Sequence, residues 1–182
     1  MRKINTLLIA ILLAGFTSCS DSSTGSDSLG SGNGIFSVSG AIEKSHEGEA
    51  FYVSETSGNT VTFQIFISDV VFSIDPNAEP DAVTFSVEFR AVYSEDSFSI
   101  EEGTFQIGEN STFSGNYADL NEEGFFETLD NHGGELTITS YSNAQLDAEF
   151  EFTAIDQHEG GVVSVKGELR ANCIGGQFNP NC

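Results

Sequence analysis

The run from Asp119 to Asp130, Asp-Leu-Asn-Glu-Glu-Gly-Phe-Phe-Glu-Thr-Leu-Asp, is the stretch of this chain whose residue types and spacing come nearest to chemistry. In a twelve-residue calcium loop, oxygen donors at positions 1, 3, 5, 9 and 12 surround the ion, a carbonyl supplies position 7, and glycine at 6 permits the sharp turn. Those positions hold Asp119, Asn121, Glu123, Glu127 and Asp130, with the Phe125 carbonyl at the seventh and Gly124 in place. Calcium is the cofactor this set would take. Two members depart from the pattern: Glu123 is long for its place, and Asp130 is short for the bidentate position usually filled by Glu. No helical pattern flanks the run, so the likeness is to the loop alone. A second acidic stretch, Asp75 to Asp81, spaces its oxygens similarly but carries Pro80 where glycine is wanted, and reads as an exposed turn.

Other chemistries find less support. His46, His132 and His158 each sit beside glycine and glutamate in turn-like sequence, and none shows the close pairing of metal-ligating histidines. There is no Gly-x-Ser-x-Gly elbow, no phosphate-binding glycine loop and no dinucleotide fingerprint. Two carboxylates brought together by neighbouring strands could serve a glycoside hydrolase, but a chain this acidic supplies such pairs by chance.

The elements that must position these residues are strands. Val83, Phe85, Val87, Phe89 and Ala91 alternate with polar neighbours, as do Leu146 to Ala154, Val163 to Ala171, and Val61, Phe63, Ile65 and Ile67, with Phe66 on the other face. Alternate side chains of a strand point to opposite faces, so each run has a buried and a wet side. Shorter strand candidates cover 35–43, 49–54, 98–107, 113–118, 124–129 and 134–141, separated by Gly, Asn, Asp and Pro clusters. The fold expected is all-β: an antiparallel sandwich of about ten strands, or alternatively a flattened, lipocalin-like barrel closed on itself. Fifteen of the sixteen phenylalanines follow the signal and, with no tryptophan in the chain, supply the bulk of its core.

Charge narrows the partners. The chain carries 28 acidic and 6 basic residues, a formal net charge of −22. Such a surface repels phosphate backbones and anionic headgroups, so no nucleic-acid partner is expected and any membrane contact must come from elsewhere.

The N-terminus supplies that contact. Arg2 and Lys3 precede an apolar run from Leu7 to Phe16 and then Thr17-Ser18-Cys19, the plan of a secretory signal peptide. Its end resembles the lipobox of bacterial lipoproteins, with Phe16 where leucine is usual. The resemblance implies that Cys19 becomes the acylated first residue of the mature chain. The expected organisation is a signal peptide over 1–18, the lipidated cysteine with a Ser/Gly/Asp-rich tether over 19–33, and one domain over 34–182. With Cys19 given to lipid, Cys173 and Cys182 remain as an even pair in an oxidising compartment, expected as a disulfide that pins the C-terminal tail.

The C-terminal third, with Gly134 to Thr139, Leu146 to Ala154 and Gly161 to Leu169, is similar to uncharacterised β-rich lipoproteins of Bacteroidetes-type bacteria, with Leu169 where phenylalanine is common. That resemblance implies secretion and a sandwich-like fold, and no activity. The function expected is that of a lipid-anchored, non-catalytic cell-envelope protein at the outer membrane, a binding or structural module whose ligand, of protein or glycan class if there is one, the sequence does not identify. The alternatives are a calcium-dependent adhesion or glycan-binding module and a hydrolase with a carboxylate pair.

Overall fold

A computed structural model of the chain describes residues 29–70, 83–97, 99–121, 124–129 and 131–174. The signal segment, Cys19, the 75–81 stretch, Glu123, Asp130 and Cys182 lie outside the described residues. Ten strands are described: β1 (Asn33–Gly40), β2 (Lys44–Ser57), β3 (Thr60–Ser68), β4 (Phe85–Ser94), β5 (Gly103–Gly108), β6 (Ser114–Asp119), β7 (Gly124–Glu127), β8 (Gly133–Tyr141), β9 (Gln145–Asp156) and β10 (Val162–Cys173). A single 3-10 turn, Glu95–Ser97, is the only helical element among the described residues.

The alternation read in the sequence is the alternation observed. Along β9, Leu146, Ala148, Phe150, Phe152 and Ala154 are buried, while Glu149 and Glu151 are exposed. Strand β4 buries Phe85, Val87, Phe89 and Ala91, and β3 buries Val61, Phe63, Ile65 and Ile67. Phe66 does sit on the other face, where it stacks on Phe51 at 5.0 Å. Gly58, with φ of 62°, makes the tight turn between β2 and β3, a conformation that costs other residues more.

These strands form a barrel rather than two stacked sheets. Eight of them close into an antiparallel ring, β1-β2-β3-β4-β6-β7-β9-β10, and β8 and β5 continue the sheet from β9, with Ile107 of β5 bridged to Phe113 just before β6. Closure comes from the first and last strands: β1 pairs with β10 along its whole length, from Asn33 opposite Arg170 to Gly40 opposite Val163. The sandwich expectation is thereby replaced by its barrel alternative. A period of two is common to both architectures, and only this long-range pairing separates them.

The interior is filled. Tyr52, Tyr117, Phe63, Phe89, Phe113, Phe152, Ile65 and Leu136 are all at most 1% exposed. Phe89 meets Phe150 and Phe152 edge-on, with ring centres 4.9 and 5.6 Å away, the arrangement aromatic quadrupoles favour. Gly167 on β10 faces this interior, and a Cβ there would come within 2.3 Å of the Ile35 carbonyl and 2.8 Å of the Phe150 ring. The aromatic packing thus requires glycine at that point.

Candidate functional site

Two features could carry function: a groove on the outer wall, and a polar cluster directly beneath one side of it. The groove, about 870 Å³, crosses strands β2, β1, β10, β9 and β8. Register explains its make-up. One cross-strand row runs Ser45, Ser37, Lys166, Glu151, Glu135, and another, two residues along, runs Glu47, Ile35, Glu168, Glu149, Thr137. Between them lies the row of His46, Phe36, Gly167 and Phe150, whose side chains belong to the inner face and whose main chain lines the floor.

The groove is strongly acidic. Glu168 stands opposite Glu149, and Glu151 opposite Glu135, like charges that repel across neighbouring strands. Lys166 partly offsets this with an ion pair to Glu151 at 2.8 Å, and that hydrogen bond and charge hold its ammonium pKa above the usual lysine range. At the end of β10, Arg170 grips Asp147 through Nε at 2.9 Å and a terminal nitrogen at 3.0 Å, and donates to the Leu29 carbonyl at 2.9 Å. That contact fixes where the N-terminal segment enters the barrel.

The polar cluster is built by β2 and β6. Strand β2 turns Lys44, His46 and Gly48 inward where an ordinary strand would bury apolar residues. Asp119, at the inner end of β6, has a side chain only 1% exposed and accepts from Lys44 Nζ at 2.8 Å. The same carboxylate oxygen accepts from the Tyr117 hydroxyl at 3.1 Å, and the other oxygen from the Asn121 amide at 3.0 Å. His46 Nε2 lies 3.1 Å from the Tyr117 hydroxyl. Because that hydroxyl spends its proton on a carboxylate, it receives one from His46, which fixes the imidazole as the Nε2–H tautomer.

Rings enclose the imidazole. Phe85 lies 4.2 Å from it and Phe36 4.9 Å, centre to centre. Gly48 makes this possible, since a Cβ there would sit 2.4 Å from the Ser68 carbonyl and 3.2 Å from the Phe85 ring. Burial among these groups pushes the His46 pKa below its ordinary value, with Lys44 acting in the same direction and Asp119 and Asp69 opposing.

Of the calcium-loop spacing, Asp119, Asn121, Phe125 and Glu127 are among the described residues. Strands β6 and β7 pair as an antiparallel hairpin, with Asp119 opposite Gly124 and Asn116 opposite Glu127. Partners in register share a face, so Asp119 points into the barrel while Glu127 points out, roughly 10 Å further along the strand. Glu127 accepts from Gln157 at 2.5 Å, and Phe125 lies half exposed on the outer face. The hairpin does not gather Asp119, Asn121, Phe125 and Glu127 around one point. Among the described residues no group of three or more His, Cys, Asp or Glu is placed to hold a metal ion.

The histidines divide. His158 lies exposed in the β9–β10 turn, as its sequence suggests, and His132 precedes β8. His46 is corrected from turn to strand: it belongs to β2 and faces the interior. Sequence reasoning missed Lys44, His46 and Tyr117 as a set. The signal that could have found them was the alternation of exposed Ser45, Glu47 and Glu49 with Lys44, His46 and Gly48, a strand pattern with a polar inner face. Cys173 closes β10, with Cys182 beyond the described residues. No protein family, no curated protein and no solved structure matches this chain.

Proposed function

We propose that this protein is a lipid-anchored, non-catalytic binding module of the cell envelope, which recognises its partner on the outer wall of the barrel. The observation that supports this reading is the filled interior: aromatic side chains occupy the space where a ligand-carrying barrel keeps a cavity. Recognition therefore falls to the outside, where the groove across β2, β1, β10, β9 and β8 is the concave surface. Cys19 carries the lipid, the 19–33 segment spaces the domain from the bilayer, and the Cys173–Cys182 disulfide pins the tail. The chain enters the barrel beside Arg170, so the tether joins the domain at the pole bearing Asn33, opposite the β6–β7 hairpin.

Two measurements on the full chain, expressed in a Gram-negative host, test this. An alkyne-bearing palmitate should label the wild-type chain in the membrane fraction and leave Cys19→Ser unlabelled; an unlabelled wild type would overturn the anchor. A photocrosslinking residue at Thr137, in the groove, should form a discrete adduct that the same residue at Thr62, on the outer face of β3, does not. Equal adducts at both places, or none at either, would overturn recognition through the groove.

A further inference from the structure

The strand that receives the N-terminal segment is gripped on both edges. All 8 residues of β1 pair with β10, from Asn33 opposite Arg170 to Gly40 opposite Val163. Its other edge pairs with β2, from Asn33 opposite Glu49 to Val38 opposite Lys44. Both ladders are antiparallel, and the inward Phe36 and Val38 are buried in the core. Among the described residues, β2 and β10 pair directly with each other only at Phe51 opposite Asn172 and Tyr52 opposite Cys173. The wall between them is therefore β1 itself.

The residues just ahead of β1 are held as well. The Gly32 amide donates to the Arg170 carbonyl, and the Gly32 carbonyl accepts from the Ala50 amide, each at 2.8 Å. The Ser31 hydroxyl donates to Asn172 at 2.6 Å and accepts from the Gln145 side-chain amide at 2.9 Å. Arg170 reaches the Leu29 carbonyl. These contacts gather where β9 begins and β10 ends.

From this geometry we infer that β1 is a tension clamp, which passes pull on the chain upstream of Leu29 into the barrel wall by loading both ladders in shear. A paired strand resists force differently in two directions. Drawn along its axis against neighbours held at their far end, it stretches the bonds of both ladders together, and they must yield together. Peeled from one end, it presents its bonds one at a time, each under the whole force. The groove spans strands on both sides of β1 and lies further along it than the entry point. A partner seated there and a lipid on Cys19 would thus pull β1 along its length. That consequence rests on the binding reading; the clamp is read from the ladders alone.

The two ends of β9 supply the test. Asn143, in the turn before β9, lies at the pole where Gln145 meets Ser31. Glu159, in the turn after β9, lies at the other, where the Ala41 amide meets the Val162 carbonyl. Both are exposed, so neither is part of the core. In the full chain, an azide-bearing residue in place of Cys19 and a second in place of either Glu159 or Asn143 carry DNA handles for optical tweezers. Pull between 19 and 159 draws β1 and β10 from opposite ends, in shear. Pull between 19 and 143 peels β1 from Leu29 onward. At one constant force, the 19–159 pair should outlive the 19–143 pair by about tenfold or more, the rate equivalent of one further hydrogen bond broken in the limiting step. A smaller or reversed ratio would overturn the clamp. Neither lipid nor partner takes part, so the palmitate and photocrosslinking results stand or fall separately.

Discussion

Replacing Lys44 by methionine probes the polar cluster most directly. Methionine keeps the length and apolar stem of lysine but removes the ammonium that lies 2.8 Å from Asp119. The Asp119 side chain is 1% exposed, so losing its partner leaves a carboxylate that water can scarcely reach. Breaking a fully buried pair costs about 3–5 kcal/mol. Here the Lys44 side chain is 27% exposed and water can enter where its amine lay. The Tyr117 and Asn121 bonds to the carboxylate also persist. The expected loss is therefore smaller, about 2–3 kcal/mol, or a fall in Tm of roughly 6–12 °C for a domain of this size. Urea denaturation at pH 7 measures it, with an unchanged m-value as the check that only stability has moved. Asp119→Asn in the Lys44→Met background should recover part of the loss, because the amide needs no cation. The double-mutant cycle should accordingly return a coupling energy of at least about 1 kcal/mol. A single-variant loss under about 0.5 kcal/mol, or additive singles, would refute the reasoning that this pair holds the barrel end together.

Two further outcomes follow from the same structure. Phe89→Ala removes a fully buried ring that contacts Phe150 and Phe152, and should cost about 3–5 kcal/mol in urea denaturation; a cost under about 1 kcal/mol would mean that the barrel centre is not close-packed. Thermal melts in millimolar calcium and in chelator, at matched ionic strength, should superimpose, because the hairpin turns Asp119 and Glu127 to opposite faces. A gain of several degrees, lost on chelation and on Asp119→Asn, would instead return the ion to that segment.

How much of this could be read in advance depended on what each strand buries. Strands β3, β4, β9 and β10 stand out in the sequence because their inner positions are unbroken runs of Val, Ile, Leu, Phe and Ala. The second half of β2, with Ala50 and Tyr52 inward, was equally legible. Its first half was not. Lys44, His46 and Gly48 fill the inner positions, so the apolar alternation disappears and the stretch resembles a turn. The residues that build the polar cluster thus erase the pattern that would have placed them on a strand. Face parity also bears on the calcium spacing. Along one strand, residues eight apart share a face, but the connection between β6 and β7 shifts that parity, so Asp119 aligns with Gly124 and not with Glu127. Barrel closure was out of reach of local pattern because it depends on which distant edges meet.

That closure has a consequence for how the molecule comes to be folded. Ser37 and Lys166, which face each other across the β1–β10 seam, are 129 residues apart in the chain. Bringing segments so distant together costs about 4 kcal/mol in loop entropy before the pairing returns anything. Topologies of this kind fold slowly. A chain made from its N-terminus exposes β1 first and β10 nearly last, so one edge of β1 must wait for almost the whole domain to be released. Until then the growing sheet has two open edges, the condition under which β proteins pair with the wrong neighbours. Release of the final strand is thus the event that commits the barrel, and deletions that shorten β10 should be retained as aggregates rather than as a looser barrel.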